Sequence, residues 1–180
     1  MGKEKDNFMQ ELKDIQEKDK KQKYNKMCRE YRKKLVQIGK DAGPWDYCFG
    51  LEFLIEHLRF MRDYYALGYN VWGEEDKKPE NDRLTLASKM VAEYEASEEL
   101  PSEEVLSVAQ SLGIKVPADF KYISKDNIQI SIVAYLEKHR ELFPNKDMNK
   151  DFVLAIYERE QQHLKNFWKL VQNKLQYLWD

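Results

Sequence analysis

Cysteine, histidine, proline and glycine are all scarce in this 180-residue sequence, which holds two, three, five and seven of them. Two cysteines, Cys28 and Cys48, build no disulfide framework, which points to a reducing compartment. So few glycines and prolines exclude a turn-rich all-β protein and a low-complexity linker. The histidines and cysteines are scattered without zinc-ligand spacing. Gly-x-Ser-x-Gly, P-loop and dinucleotide fingerprints are missing as well. No apolar run approaches the roughly 18 residues of a membrane span. The charged start MGKEKDNF predicts no secretory signal. Asp6 stands where N-myristoylation favours Ser or Thr.

What is present is apolar and charged. The apolar fraction is 42%, the aromatic fraction 13% and the charged fraction 34%, too apolar for a wholly disordered chain and long enough for a core. Apolar side chains recur at alternating threes and fours almost throughout. Phe8, Leu12 and Ile15 form a first group, separated by the apolar-free EKDKKQK from Tyr24, Cys28, Tyr31, Leu35 and Ile38. Gly43 is placed as a C-terminal cap, and Pro44 with Asp46 opens the next helix. That helix carries the cleanest row, Tyr47, Leu51, Leu54, Leu58, Met61 and Tyr65, widened by Trp45, Phe49, Phe53, Ile55 and Phe60. It is expected to be central and contacted on more than one side. EEDKKPEND reads as an exposed loop, and Asn81 or Asp82 as the cap of a third helix with Leu84, Ala87, Val91 and Tyr94 inward. A short helix from Pro101 turns Val105, Leu106, Ala109 and Leu112 inward and stops at Gly113. A fifth carries Ile128, Ile132, Tyr135, His139 and Leu142. The last carries Phe152 or Val153, Ile156, Glu160, Leu164, Phe167, Val171, Leu175 and Leu178. The expected fold is all-α, a bundle of about five to six helices. A basic N-terminal helix or arm is expected over residues 1–40 and a bundle domain over 41–180.

The net charge of −2 conceals an asymmetry. Residues 1–40 hold 13 Lys or Arg against 7 Asp or Glu, and Lys18–Lys34 alone holds nine basic residues against Asp19 and Glu30. Glu74–Glu104 holds eleven acidic residues against four basic. The basic segment is either a solvated face that pairs with acids of its own chain or a surface for an anionic partner. Tyr24 and Tyr31 lie within it as candidate stacking groups for bases.

The most chemical spacing is Glu160-x-x-His163, which puts both side chains on one helix face as in di-metal carboxylate sites. Glu52 and Glu56 can add carboxylates, but no second Glu-x-x-His exists, so both residues are read as polar interface groups. Cys28 and Cys48 have no catalytic histidine spacing. His57 and His139 are expected as hydrogen-bonded core or boundary residues. Residues 99–137 have the helix–extended–helix patterning of SAP or Rho-N nucleic-acid modules, with Glu103 and Glu104 a poor surface for phosphates. A plain helical hairpin explains the same pattern. No catalytic residue, metal site or cofactor is assigned.

PWDYCFGLEFLIEHLRFMRDYY (Pro44–Tyr65) and the ending HLKNFWKLVQNKLQYLWD together resemble a group of uncharacterised bacteriophage proteins. In that group a Trp-Asp-Tyr helix start leads into a leucine-rich helix, and an aromatic final helix ends near Trp-Trp-Asp; Leu178 replaces the first of those tryptophans here. The resemblance implies a phage origin and action in the host cytoplasm, and carries over no catalytic residue. The expected function is therefore non-enzymatic binding of a host or defence protein, as inhibitor or adaptor, without membrane attachment. The expected contacts are Lys20, Lys21, Lys23, Lys26, Arg29, Arg32, Lys33 and Lys34, with Trp72 and Trp179. The alternatives are nucleic-acid binding through the basic helix and a self-assembling homo-oligomer.

Overall fold

The computed structural model describes residues 2–41, 47–68, 77–116, 128–144 and 147–178. Within them run α1 (Gly2–Asp41), α2 (Tyr47–Ala66), α3 (Lys77–Glu98), α4 (Ser102–Ser111), α5 (Ile128–Lys138) and α6 (Met148–Lys174). Single 3₁₀ turns follow at Arg140–Leu142 and Gln176–Leu178. No strand occurs among the described residues, so the fold is all-α as the apolar spacing requires. No described helix is long and apolar enough to cross a membrane. The chain forms two compact units, Met1–Val91 with Lys174–Asp180, and Ala92–Asn173.

In the first unit α1 is unbroken through EKDKKQK, because Lys, Glu and Gln are good helix formers even where no side chain is buried. Of its early apolar residues, Leu12 is exposed and Ile15 is 57% exposed. From Tyr24 onward the inward row Tyr24, Cys28, Tyr31, Leu35 and Ile38 is half-buried. Along the middle of α2, Ile55, Leu58 and Met61 are buried. Phe60 stacks on Tyr31 with ring centroids 4.5 Å apart, and Tyr24 meets Tyr64 edge-on at 5.9 Å. On another side of α2, the Tyr65 hydroxyl donates to the Leu178 carbonyl at 2.8 Å. The apolar width of α2 thus serves contacts on two sides. Phe53, on the same helix, is 40% exposed. Gly43, Pro44, Trp45 and Asp46 lie outside the described residues.

One expected boundary is corrected. α3 begins at Lys77, before the caps expected at Asn81 or Asp82, so part of the supposed loop is helical. Pro79 falls in its first turn, where a missing N–H costs nothing. In this unit α3 buries Ala87, Met90 and Val91.

The second unit has a continuous core of Leu100, Val105, Val108, Ala109, Ile114, Ile128, Ile132, Leu136, Met148, Phe152 and Ile156. α4 ends in a Schellman cap: Gly113 N–H donates to Gln110 O at 2.9 Å and Ile114 N–H to Ala109 O at 3.0 Å. Gly113 takes φ +77°, the left-handed conformation such a cap needs, which places Ile114 in the core. In α5 the inward residue after Ile132 is Leu136, and Leu142 is 59% exposed. The chain leaves the α-helix at His139 and tightens into a 3₁₀ turn, which shifts the phase of the row. In α6 the buried residue is Phe152, while Val153 is exposed.

Candidate functional site

Two polar constellations stand out, one in each unit. In the first, α1 turns its tyrosines toward α2 and its cations outward. Gln22, Lys26, Arg29 and Lys33 follow one another at steps of four, three and four, and all are exposed. Lys26 lies 3.9 Å from Glu30 with both side chains open to solvent, a pair of little energetic consequence. Arg29 Nε donates to the Asn25 carbonyl at 3.2 Å, within its own helix. Lys21, Lys23, Arg32 and Lys33 are exposed and form no ion pair among the described residues.

Two exposed cations of the segment also contact the rest of their unit. Lys20 Nζ reaches the Gly68 carbonyl at 3.4 Å. Lys34 Nζ sits 3.0 Å from Glu56, whose other oxygen takes Arg59 at 2.8 Å. Burial pushes the Glu56 carboxyl up, but the hydrogen bonds and charges of Arg59 and Lys34 outweigh it and hold the group below its ordinary range. The structure thus leaves all eight expected cations exposed, with Lys34 also paired to α2 and Lys20 also bonded to the turn that follows α2. Trp72 and Trp179 lie outside the described residues.

Tyr24 and Tyr31 are half-buried against rings of α2. Tyr24 packs on Tyr64, and the Tyr31 hydroxyl is hydrogen-bonded to His57 Nδ1. Burial lowers the His57 pKa and so favours the neutral ring. Burial, then the Glu56 charge, raises the Tyr31 pKa and favours the neutral phenol.

In the second unit, His163 of α6 lies between two glutamates from other helices. Nδ1 is 2.8 Å from Glu93 Oε2 and Nε2 is 3.1 Å from Glu104 Oε2. Asn166, one turn on, donates to the same Glu93 oxygen at 3.1 Å. Carboxylates only accept, so an imidazole bonded to both must carry two N–H groups and a positive charge. Burial pulls the His163 pKa down, but the bonds and charges of Glu104 and Glu93 override it and raise the value above 6.5. Glu160 does not join this clamp. Burial and the nearby Glu98 charge raise its pKa instead.

With both nitrogens occupied, His163 ties α3, α4 and α6 together and presents no lone pair to a metal or substrate. Among the described residues, no three His, Cys, Asp or Glu side chains gather in a geometry that holds a metal. His139 is half-buried beside Tyr135, ring centroids 4.6 Å apart, with Glu141 3.6 Å from Nδ1. The Glu160-x-x-His163 spacing identified His163 as a polar interface residue but missed its partners. Glu93 and Glu104 are 70 and 59 positions away, and no local pattern encodes such a pairing.

An open cleft of about 400 Å³ lies between α5, the turn after it and the start of α6. Glu137, Arg140 and Asp147 reach its rim, and no histidine or cysteine lines it. Comparison with protein-family models, with curated proteins and with solved structures finds no match for the chain.

Proposed function

We propose that this chain is a non-enzymatic binding protein of a bacteriophage, acting in the host cytoplasm by docking the basic face of α1 on an acidic surface of a host or defence protein. The observation that carries the reading is the division of labour within α1. Its aromatic row is consumed by α2, while Lys26, Arg29 and Lys33 stand in solvent without a buried or well-formed acidic partner. A line of cations on a rigid helix gives electrostatic steering and register to an acidic partner. The inward tyrosines support this protein-directed reading over single-stranded nucleic acid, where exposed aromatic platforms carry much of the affinity.

The test is capture from bacterial lysate with and without nuclease, using the wild-type chain and a Lys26→Glu/Arg29→Glu/Lys33→Glu variant. The expected result is a protein retained through nuclease treatment and lost with the variant, at unchanged helicity and melting temperature. Equal capture by the variant overturns the proposal. Capture that collapses with nuclease and falls steeply with salt moves the function to phosphate binding.

A further inference from the structure

α6 carries more apolar surface than the core of its unit uses. Phe152 and Ile156 lie in that core, and Phe167 is buried beside Tyr94. Beside them runs a second row, Leu154, Tyr157, Gln161, Leu164, Trp168 and Val171, at steps of three and four in strict alternation. That spacing is the heptad seam of a two-helix coiled coil. Leu154 is 51% exposed, Tyr157 55% and Trp168 36%, and the other three are half-buried. A continuous apolar row of this kind on a surface marks an interaction site.

We infer that this row is a homodimer interface, occupied by α6 of a second copy in antiparallel, two-fold arrangement. The row is self-complementary about a point between Gln161 and Leu164. In that register Leu154 meets the partner's Val171, Tyr157 meets the partner's Trp168 and Gln161 meets the partner's Leu164. The seam is about 27 Å long at 1.5 Å per residue. Its single polar member near the centre fixes the register, as one buried amide does in coiled coils.

Charge selects the antiparallel direction. Glu158 and Lys165 each follow a seam residue by one position, and both are exposed. Antiparallel pairing sets Glu158 against the partner's Lys165 at both ends of the two-fold. In a parallel pair, Lys165 would instead need Glu160, which is half-buried in its own unit and less available than the exposed Glu158.

Sedimentation equilibrium of the full chain under reducing conditions tests this, up to about 100 μM protein, where even micromolar dissociation constants populate a dimer. The wild type is expected to dimerise, and Tyr157→Glu to raise the dimer Kd at least about tenfold with an unchanged circular dichroism spectrum. Glu158→Lys and Lys165→Glu are each expected to weaken the dimer about fivefold, and the double charge swap to return it to within about twofold of wild type. A monomeric wild type overturns the inference. So does a dimer indifferent to Tyr157→Glu, or a charge swap that gives no recovery.

Discussion

His57 and His163 respond to protons with opposite signs because one is surrounded by rings and the other by carboxylates. His163 has a folded-state pKa above 6.5. Its contribution is therefore complete below about pH 6.5 and is lost as pH rises through the raised value. His57 has a folded-state pKa below 6.5, so the stability it confers is complete above that value and declines as pH falls toward the lowered one. Histidine ring resonances followed by NMR should show one titration displaced upward and one downward. Loss of the upward one in His163→Gln assigns it, and two coincident midpoints would refute the pair of environments. His163→Gln is expected to cost about 1–2 kcal/mol, the scale of charge-assisted hydrogen bonds in a partly buried site. The difference in Tm from wild type should be largest near about pH 6 and shrink toward about pH 9. Glu160 acts in the same direction as His163: burial and Glu98 raise its pKa, so its ionisation with rising pH opposes folding.

Two glycines at α-helices have opposite effects on their helices. Gly113 sits at φ +77° with open space around a virtual Cβ. Gly113→Ala is thus expected to cost about 1 kcal/mol from backbone conformation alone. Gly39 lies within α1, also with nothing near its virtual Cβ. Gly39→Ala should stabilise by about 0.5–1 kcal/mol, since Ala is the better helix former. Urea unfolding of both variants checks the opposite signs, and destabilisation by both would mean that Gly39 serves a contact rather than the helix. The stop at Gly113 was legible in sequence, because a glycine closing an apolar period is a local signal. The start of α3 was not. Pro79 and the charged residues around it look like a loop, yet the first helical turn accepts proline and polar residues alike. Docking of α1 on α2 is likewise an element-level property. Tyr31→Ala removes the Phe60 stack and the His57 bond together, at an expected cost of about 3 kcal/mol by thermal melting.

At the scale of the molecule, stability rests on packed side chains and not on the ion pairs of its charged surface. Phe152 is fully buried in the core of the second unit. Phe152→Ala should remove about 3–5 kcal/mol in urea unfolding, whereas Lys26→Ala should change it by less than about 0.5 kcal/mol. A loss below about 1 kcal/mol for Phe152→Ala would show that the site collapses around the cavity. The all-α class, the rows on α2, α4 and α6, the Gly113 stop and the basic segment were all determined by the sequence. Each is local: a helix repeats every 3.6 residues, and hydrophobic period, cap and charge run are read within a turn or two. Only the tertiary structure decided that Tyr24 and Tyr31 face α2, that Lys34 meets Glu56 while Lys26, Arg29 and Lys33 have no partner on another helix among the described residues, and that Glu93 and Glu104 close on His163. Those outcomes depend on which helix covers which face. Contacts between residues tens of positions apart carry no periodic signal in a single chain, so the same basic run and the same Glu-x-x-His became, respectively, an exposed ridge and an internal tie.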